Sequence, residues 1–300
     1  MIYEKIRIRS VGSYLPATIV TNKDLPGVDK KADAWITAHL GIKSRRIING
    51  ENVISMGTLA AKSAMHNIDK DKIGMVIVSC SSPSHFAPSV SNQIIHALGI
   101  KAPAFDINAV CSGFIYALDL ACKQIICDPD KYVLIIATEA YSTITDWDHR
   151  DNVYFGDGAG AVVLSKGTGQ MSVNVYADGQ SDDAFYIEPG KTYTMVGRKV
   201  YDRATSVLPD LVREAMEEVG LFWHDINFMI PHQAGIRVLH KLASMINIPV
   251  DNVITIMHKY GNIASASIPV AMAEMYSIDR TLLMVAIGAG WTYGTAIYKP

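Results

Sequence analysis

Cys111 is the first residue of this sequence that could carry chemistry, because of where it stands. It lies in the stretch DINAVCSGFIYALDLAC, where a strand-like run stops and an apolar helix begins. Free backbone N–H groups at a helix N-terminus lower the pKa of a thiol and make it a nucleophile. The alternative is packing, because free cysteine is among the most buried residue types. Cys80, Cys122 and Cys127 fit the packing interpretation.

Two further side chains are candidates to assist such a nucleophile. His232 follows a strand-like run in INFMIPHQAGIRVLHK, and Asn262 precedes a helix-like run in HKYGNIASASIPVAM. Each has a plainer interpretation, His232 as a turn or core residue and Asn262 as a helix N-cap. A cysteine, a histidine and an asparagine together provide a nucleophile, a proton carrier and a hydrogen-bond donor. The sequence spacing alone does not bring the three together.

The elements that would position these residues alternate between short apolar strands and longer helices, which predicts an α/β fold. A weak internal duplication adds to this pattern. Residues 60–77 and 211–230 both have the pattern of a helix, a turn and a strand, and Cys111 and Asn262 follow them at nearly equal distances. We therefore expect two copies of one α/β unit, with Cys111 and Asn262 at equivalent junctions. A pseudo-twofold axis would bring these junctions together at strand ends, where open α/β sheets bind ligands.

The composition limits the possible functions. The chain has 300 residues, 49% of them hydrophobic, so it can bury a large core, and its net charge of −2 gives no reason to expect nucleic acid as a partner. No apolar stretch approaches the length of about 20 residues that a membrane helix needs, and the N-terminal residues lack the apolar centre of a signal peptide, so no membrane partner is expected. The four cysteines form no CxxC pair, which favours reduced thiols and a cytoplasmic location.

Two glycine-rich stretches are candidates for a backbone role. The stretch NVYFGDGAGAVVLS does not have the combined spacing, following helix and distal acid of a dinucleotide-binding fingerprint, so it predicts a tight turn within a sheet. The stretch AIGAGWTYGTAIY predicts a strand, a turn and a closing strand, and N–H groups of this turn could bind an oxyanion.

In order along the chain, these motifs resemble those of β-ketoacyl-acyl carrier protein synthase III, a condensing enzyme of the thiolase fold. The resemblance covers essentially the full length, in the motifs SVGSYLPATIVTN, DAWITAHLGI, AFDINAVCSGF, FGDGAGA, PHQAGIR, HKYGNIASASIP and GAGWTYG. It implies a thiolase-like α/β fold with duplicated βαβαβαββ halves in a five-layer α-β-α-β-α sandwich. The halves would be residues 1–167, with the nucleophilic cysteine, and residues 168–300, with the histidine and asparagine. It also implies a homodimer.

The resemblance implies a reaction and its catalytic residues. Cys111 would take an acyl group from acyl-coenzyme A, and His232 and Asn262 would assist decarboxylation of a malonyl thioester carried by acyl carrier protein or coenzyme A. The resulting carbanion would attack the acyl-cysteine in a Claisen condensation, in fatty acid or specialised acyl and polyketide biosynthesis. The backbone N–H groups of Cys111 and Ala289 would form an oxyanion hole. No metal or other cofactor is implied.

The resemblance also implies binding residues. Trp35 and Arg150 match residues that contact the nucleotide of coenzyme A. Arg237 matches an arginine associated with carrier-protein docking, and its plainer interpretation is an exposed helix charge. Ala87 stands at the position of a phenylalanine that closes the acyl pocket across the dimer.

Departures from the family pattern predict a specialised synthase. His39 replaces an arginine beside the nucleotide, and the small side chain of Ala87 predicts a longer or wider acyl pocket. Ala289 replaces the middle glycine of GGG, which requires a negative φ or tolerated strain. The stretch between Gly179 and Val196 is shorter than in the housekeeping enzyme, so part of the cover of the site is expected to be missing.

Three alternatives to condensation stay open at this point. An acyltransferase would pass the acyl group to an oxygen or nitrogen nucleophile, a cysteine hydrolase would pass it to water, and a scaffold would have no activity. Retention of both His232 and Asn262 favours condensation over acyl transfer, since both suit decarboxylation of a malonyl group. The full-length resemblance argues against the hydrolase. The intact set of Cys111, His232 and Asn262 argues against the scaffold.

Overall fold

Strands and helices alternate along the chain in the computed structural model, which describes residues 1–179, 184–188, 190–275 and 277–300. The strands are β1 (Ile2–Tyr14), β2 (Thr18–Thr21), β3 (Ser44–Ile47), β4 (Ile73–Ser79), β5 (Ala104–Ile107), β6 (Tyr132–Ala140), β7 (Asp157–Ala177), β8 (Phe185–Tyr186), β9 (Thr194–Met195), β10 (Phe228–Pro231), β11 (Leu282–Gly288) and β12 (Thr292–Lys299). The helices are α1 (Lys30–Leu40), α2 (Val53–Ala64), α3 (Val90–Leu98), α4 (Gly113–Cys127), α5 (Gly197–Glu218), α6 (Ile236–Met245), α7 (Met257–Tyr260) and α8 (Ser267–Glu274). The stretch predicted to be shortened lies partly outside the described residues, at 180–183 and 189.

The sheet is built around the long strand β7. Residues 157–164 of this strand pair with β6, residues 170–177 pair with β12, and β1 runs antiparallel along both parts. The strand order is β10-β11-β12-β7-β6-β4-β5, with β1 also on β7. We call the strands on either side of β7 the two wings of the sheet: β4, β5 and β6 form one, and β10, β11 and β12 form the other. In the first wing β4 runs parallel to β5 and β6, and in the second β10 runs parallel to β11. The expected boundary between residues 167 and 168 falls inside β7, and the division into two halves stays a prediction.

Three hydrophobic clusters define five layers. In the middle layer, Phe114 of α4 and Ile268 of α8 pack with strand residues of both wings, such as Ile135 of β6 and Met284 of β11. Helices α2 and α3 cover the outer face of β4 and β6. Helices α5 and α6 cover the outer face of β11 and β12. The order is therefore helices, sheet, helices, sheet, helices, and the expected α-β-α-β-α sandwich is confirmed.

The internal duplication is visible in the turns that precede the two central helices. A 3₁₀ turn at Val110–Ser112 leads into α4, and one at Ala264–Ala266 leads into α8. Val110 and Ala264 have positive φ values of 48° and 44°. Each N–H binds an asparagine two residues earlier, Asn108 at 3.2 Å and Asn262 at 2.8 Å. The structural counterpart of Asn262 is therefore Asn108, and that of Cys111 is Ser265, a shift of three residues from the sequence-based alignment.

The glycines of FGDGAGA lie around the start of β7 rather than in a tight turn, contrary to expectation. A Cβ on Gly160 would come within 2.8 Å of Pro269 and of the backbone of Val270. Glycine is needed there because α8 lies directly on β7, and the close approach brings the central helix layer against the sheet.

The central helix α4 is apolar on most of its surface. The stretch Val110–Cys127 is long and apolar enough, by length and composition alone, to cross a membrane, which the sequence analysis did not anticipate. Core helices pass the same test, and α4 packs between the two sheet layers with Phe114 and Leu118 at 0% exposure.

Candidate active site

Cys111 lies in the 3₁₀ turn between β5 and α4, and the β11–β12 turn holds this segment in place. The Oγ of Ser112 donates to the carbonyl of Thr292 at 3.0 Å, and the Oγ1 of Thr292 donates to the carbonyl of Ala109 at 3.1 Å. A Cβ on Gly288 would lie 2.7 Å from the Ala109 oxygen and 3.2 Å from the Cys111 nitrogen. Glycine at 288 therefore allows the two turns to touch.

Ala289, the second expected oxyanion donor, follows this glycine. The positive φ values of the turn belong to Gly290, at 71°, and Trp291, at 51°, and Ala289 is not among the residues with positive φ. The alanine therefore meets the backbone requirement that the sequence analysis set for it. The turn between β11 and β12 itself was correctly predicted.

His232 lies at the carboxyl end of β10, next to the end of its parallel neighbour β11. Its backbone N–H donates to the carbonyl of Val285 at 2.8 Å. The side chain is 5% exposed, and its buried Nδ1 has no hydrogen-bond partner in the described part of the chain. Burial lowers the pKa of His232 to about 4, and a hydrogen bond with the backbone of Ala264 opposes this shift. The imidazole is therefore neutral at physiological pH.

Gln233 was not singled out as functional from the sequence, although it stands directly after His232 in the PHQ motif. It is 1% exposed. Its Nε2 donates to the carbonyl of Pro231 at 2.8 Å, and its Oε1 accepts from the N–H of Ile256 at 2.9 Å. The amide thus ties the histidine turn to the segment that leads through α7 to Asn262.

Asn262 is held on both its backbone and its side chain. The backbone N–H donates to the carbonyl of Tyr154 at 2.9 Å, and the carbonyl accepts from the N–H of Gly156 at 3.0 Å. Its Oδ1 accepts from the N–H of Ala264 at 2.8 Å. Since the amide oxygen can only accept, Nδ2 is the side-chain atom that can donate to a bound molecule.

The structure brings Cys111, His232, Asn262 and Ala289 to one cleft. The rest of its wall is mainly apolar and aromatic, and includes Tyr154, Phe155, Phe185, Met195 and Trp291. No single sequence pattern predicted this wall, because its residues come from separate segments. An apolar cleft with a few converging polar groups is the usual form of a small-molecule site.

The resting state of Cys111 differs from the expectation. Burial raises the pKa of this thiol, the nearby carboxylate of Glu139 adds to the rise, and a hydrogen bond from the backbone N–H of Cys111 itself opposes it. The direction of the pKa shift is therefore opposite to the acidification expected from the helix terminus, because desolvation of the partly buried thiolate outweighs the backbone donor. Cys111 rests as a thiol.

The expected coenzyme A residues lie on the approach to this cleft. Asp29 caps α1 through a 2.8 Å bond from the N–H of Ala32, and the helix carries Trp35, which is 51% exposed and stacks on His39 at 4.6 Å between ring centroids. Trp35 lines one surface groove with Arg150.

A second groove joins this approach to the cleft. It is lined by Trp35, His39 and Arg237, and it shares Met195 and Ala234 with the cleft of Cys111. A continuous surface path therefore runs from the expected nucleotide and carrier-protein residues to the thiol.

Ala87 does not line the cleft of its own chain. It is exposed on the loop before α3, and the neighbouring Phe86 is 87% exposed. The wider acyl pocket inferred from Ala87 stays a prediction. Among the described residues, no group of three or more histidine, cysteine, aspartate or glutamate side chains is arranged to hold a metal ion.

Comparisons with known proteins agree with this geometry. Residues 105–179 match the family model of 3-oxoacyl-[acyl-carrier-protein] synthase III, and residues 216–299 match the model of its C-terminal part. The β-ketoacyl-[acyl-carrier-protein] synthase III 1 of Vibrio vulnificus is 38% identical, with 98% of this chain and 99% of the relative covered.

Solved structures are similar over the same extent. The 3-oxoacyl-[acyl-carrier-protein] synthase III of Aquifex aeolicus has a TM-score of 0.93 at 35% identity, covering 98% of this chain and 100% of its own. The priming β-ketosynthase of the R1128 polyketide pathway has a TM-score of 0.92 at 30% identity, covering 99% and 97%. The chain therefore belongs to the β-ketoacyl-[acyl-carrier-protein] synthase III family of condensing enzymes.

Proposed function

We propose that this protein transfers an acyl group from acyl-coenzyme A to Cys111 and condenses it with a malonyl thioester, with malonyl-acyl carrier protein as the extender. The observation that carries the proposal is the convergence of Cys111, His232, Asn262 and Ala289 on one apolar cleft. Family membership over nearly the full length supports it. The product is a β-ketoacyl thioester for fatty acid or specialised acyl and polyketide biosynthesis.

In the first step, the sulfur of Cys111 attacks the carbonyl carbon of the acyl thioester. The carbonyl oxygen becomes an oxyanion, which accepts hydrogen bonds from the N–H groups of Cys111 and Ala289. The carbon–sulfur bond to coenzyme A then breaks, and the departing sulfur gains the proton that the Cys111 thiol loses. A well-placed oxyanion donor is worth about 3 kcal/mol of transition-state stabilisation.

In the second step, the malonyl carboxylate leaves as carbon dioxide, and its bonding electrons form an enolate. The enolate oxygen accepts hydrogen bonds from a ring N–H of His232 and from Nδ2 of Asn262. The neutral imidazole acts as a donor here rather than as an acid, since its pKa is about 4. The enolate carbon then attacks the acyl-cysteine, and the sulfur of Cys111 leaves and regains a proton. The reaction as written balances without a metal or redox cofactor.

The surface supports proposals about partners. The nucleotide of coenzyme A would lie at Trp35 and Arg150, and Arg237 would meet the acidic surface or phosphate of a carrier protein. The edge strand β5 is the end of the sheet, and Phe105 on it is 36% exposed. We propose that a second copy pairs at this edge to form a homodimer. All four cysteines are unpaired, which supports a cytoplasmic location.

Intact-protein mass spectrometry tests the acylation step. The protein is incubated with short, long and branched acyl-coenzyme A donors, beside Cys111→Ala and the control Cys127→Ala, which removes an exposed cysteine. We expect a gain of one acyl group in the wild type and in Cys127→Ala, and none in Cys111→Ala. The same gain in all three proteins would contradict Cys111 as the nucleophile.

The condensation step is tested on the acylated protein. Malonyl-acyl carrier protein and malonyl-coenzyme A are added separately, and we expect loss of the acyl mass together with carbon dioxide and a β-ketoacyl thioester. Loss of the acyl mass as a free acid, or onto an alcohol or amine without carbon dioxide, would contradict condensation.

A further inference from the structure

A buried carboxylate, Glu139, lies behind the cleft and has no part in the reaction above. It is near the carboxyl end of β6 and is 0% exposed. Its Oε1 accepts from the Oγ of Ser265 at 2.6 Å, and its Oε2 accepts from the Oγ of Ser82 at 2.7 Å and from the N–H of Ser81 at 3.1 Å. Glu139 therefore binds together the turn after β4 and the turn before α8.

Both of these turns border Cys111. Ser265 is the structural counterpart of Cys111, and its Cβ lies 3.8 Å from the position a Cβ would take on Gly113, two residues after the nucleophile. On the other side, the Oγ of Ser81 is 2.9 Å from the hydroxyl of Tyr141, whose ring belongs to the aromatic cluster that packs against Cys111. Glu139 is thus linked to the surroundings of Cys111 through Ser265 on one side and through Ser81 and Tyr141 on the other.

The charge of this carboxylate acts on the thiol. Burial raises the pKa of Glu139 to about 7, and the hydrogen bonds from Ser265, Ser82 and Ser81 oppose the rise and favour the ionised carboxylate. Its negative charge raises the pKa of Cys111 beyond the effect of burial. The other titratable groups that face this region are Cys80 at the end of β4, Tyr141 after β6 and His232 across the cleft.

We propose that Glu139 is a positioning residue for the nucleophile: its carboxylate fixes the two turns that border Cys111 and places a negative charge behind the thiol. The inference rests on the proposed role of Cys111 in acyl transfer. A protonated thiol resists oxidation and stray electrophiles, because the thiolate is the reactive form. The bound thioester then meets a thiol whose surroundings are already in place.

The pH dependence of thiol alkylation tests this. Iodoacetamide is applied between pH 6 and 10, the thiolate displaces iodide to form a carbon–sulfur bond, and labelling of the Cys111 peptide is measured by mass. In Glu139→Gln, which keeps the shape and removes the charge, we expect labelling of Cys111 to be about tenfold faster at pH 7.5, the change that a one-unit fall in the pKa of the thiol would give. The control is Asp157→Asn, another carboxylate with 0% exposure, which binds Ser142 and the N–H of Ile48 instead. It should leave the profile unchanged.

Ser265→Ala keeps the test decisive if Glu139→Gln does not fold. It removes one hydrogen bond that favours the ionised carboxylate, so the profile should move in the same direction by a smaller amount. An unchanged profile in a folded Glu139→Gln or Ser265→Ala protein, or an equal shift in Asp157→Asn, overturns the proposal. Failure of the proposed function gives a different result, because the wild type would then take no acyl group from any thioester while alkylation still responds to Glu139.

Discussion

Substitution of Asn262 by aspartate separates the observed role of this side chain from its proposed role. The Oδ1 atom accepts from the N–H of Ala264 at 2.8 Å and fixes the turn before α8, while Nδ2 is the proposed donor to the enolate. Aspartate keeps an acceptor for Ala264 but replaces the donor with a carboxylate oxygen. Alanine removes both functions. The pair of variants therefore distinguishes a catalytic defect from a folding defect.

The expected sizes follow from the geometry. Loss of one preorganised donor to an oxyanion costs about 10²–10³ in rate, so Asn262→Asp should slow malonyl decarboxylation by at least that factor. In Asn262→Ala the N–H of Ala264 loses its partner, and Ala264 is 1% exposed, which costs about 1–3 kcal/mol of stability as well. The aspartate variant should recover some rate as the pH falls, since a protonated carboxyl group can donate.

Carbon dioxide release from malonyl-acyl carrier protein measures this effect, and the mass gain from acyl-coenzyme A measures acylation separately. We expect Asn262→Asp to acylate Cys111 at close to the wild-type rate while decarboxylation falls. Asn108→Asp is the matched control, because Asn108 makes the equivalent bond to Val110 at 3.2 Å, and its decarboxylation rate should be unchanged. Decarboxylation by Asn262→Asp within threefold of the wild type would refute the assignment of Nδ2 as the enolate donor.

Three further results are expected. Between pH 7 and pH 5, the free energy of unfolding of the wild type should fall by about 2 kcal/mol more than that of His232→Gln, because the histidine binds a proton near pH 6.5 when unfolded and near pH 4 when folded. Urea unfolding at the two pH values measures this, and equal pH dependence of the two proteins would contradict it. Gly288→Ala should slow acylation of Cys111 at least about tenfold, since its Cβ would meet the Ala109 oxygen at 2.7 Å; a rate within twofold of the wild type would count against the oxyanion geometry. Trp35→Ala should raise KM for acyl-coenzyme A about tenfold with little change for an acyl-pantetheine donor, because base stacking is worth about 1–3 kcal/mol; an equal rise for both donors would exclude nucleotide stacking.

The sequence predicted the parts of the site that depend on local pattern. Cys111 follows β5, His232 follows β10 and Ala289 follows β11. A strand followed by a helix or a turn can be recognised in a sequence window of about fifteen residues. The α/β class and the repeat follow from the same patterns. Carboxyl ends of strands related by a repeat are brought together by the fold, which is why the sequence pattern alone could group these residues.

The parts that depend on distant contacts were not predictable in this way. An asparagine before a helix has the same sequence pattern whether it caps the helix, donates to substrate or does both. The sequence therefore did not show that Asn108 and Asn262 hold equivalent turns, and the alignment of the two repeats matched Asn262 to Cys111 instead. The pKa of the thiol depends on Glu139, which is brought near Cys111 by the packing of β6 against α4 and against the 3₁₀ turn that precedes α8. Gln233 joins the turn at His232 to the segment before α7 through its amide, and such hydrogen bonds between distant segments produce no periodic pattern in the sequence.

One physical cause explains the protonation states of both Cys111 and His232. Burial disfavours any charged form, so it raises the pKa of the thiol and lowers that of the imidazole, and both groups are neutral at rest. A neutral apolar cleft accepts an acyl chain without desolvating an ion. In the proposed reaction, charge develops on the oxyanion during acylation and moves from the malonyl carboxylate to the enolate oxygen during decarboxylation. The proposed donors at these two positions are the backbone N–H groups of Cys111 and Ala289 and the side chains of His232 and Asn262. On this proposed mechanism, the donors stabilise the transition states more than the bound substrates, which is the condition for binding energy to raise kcat rather than only lower KM.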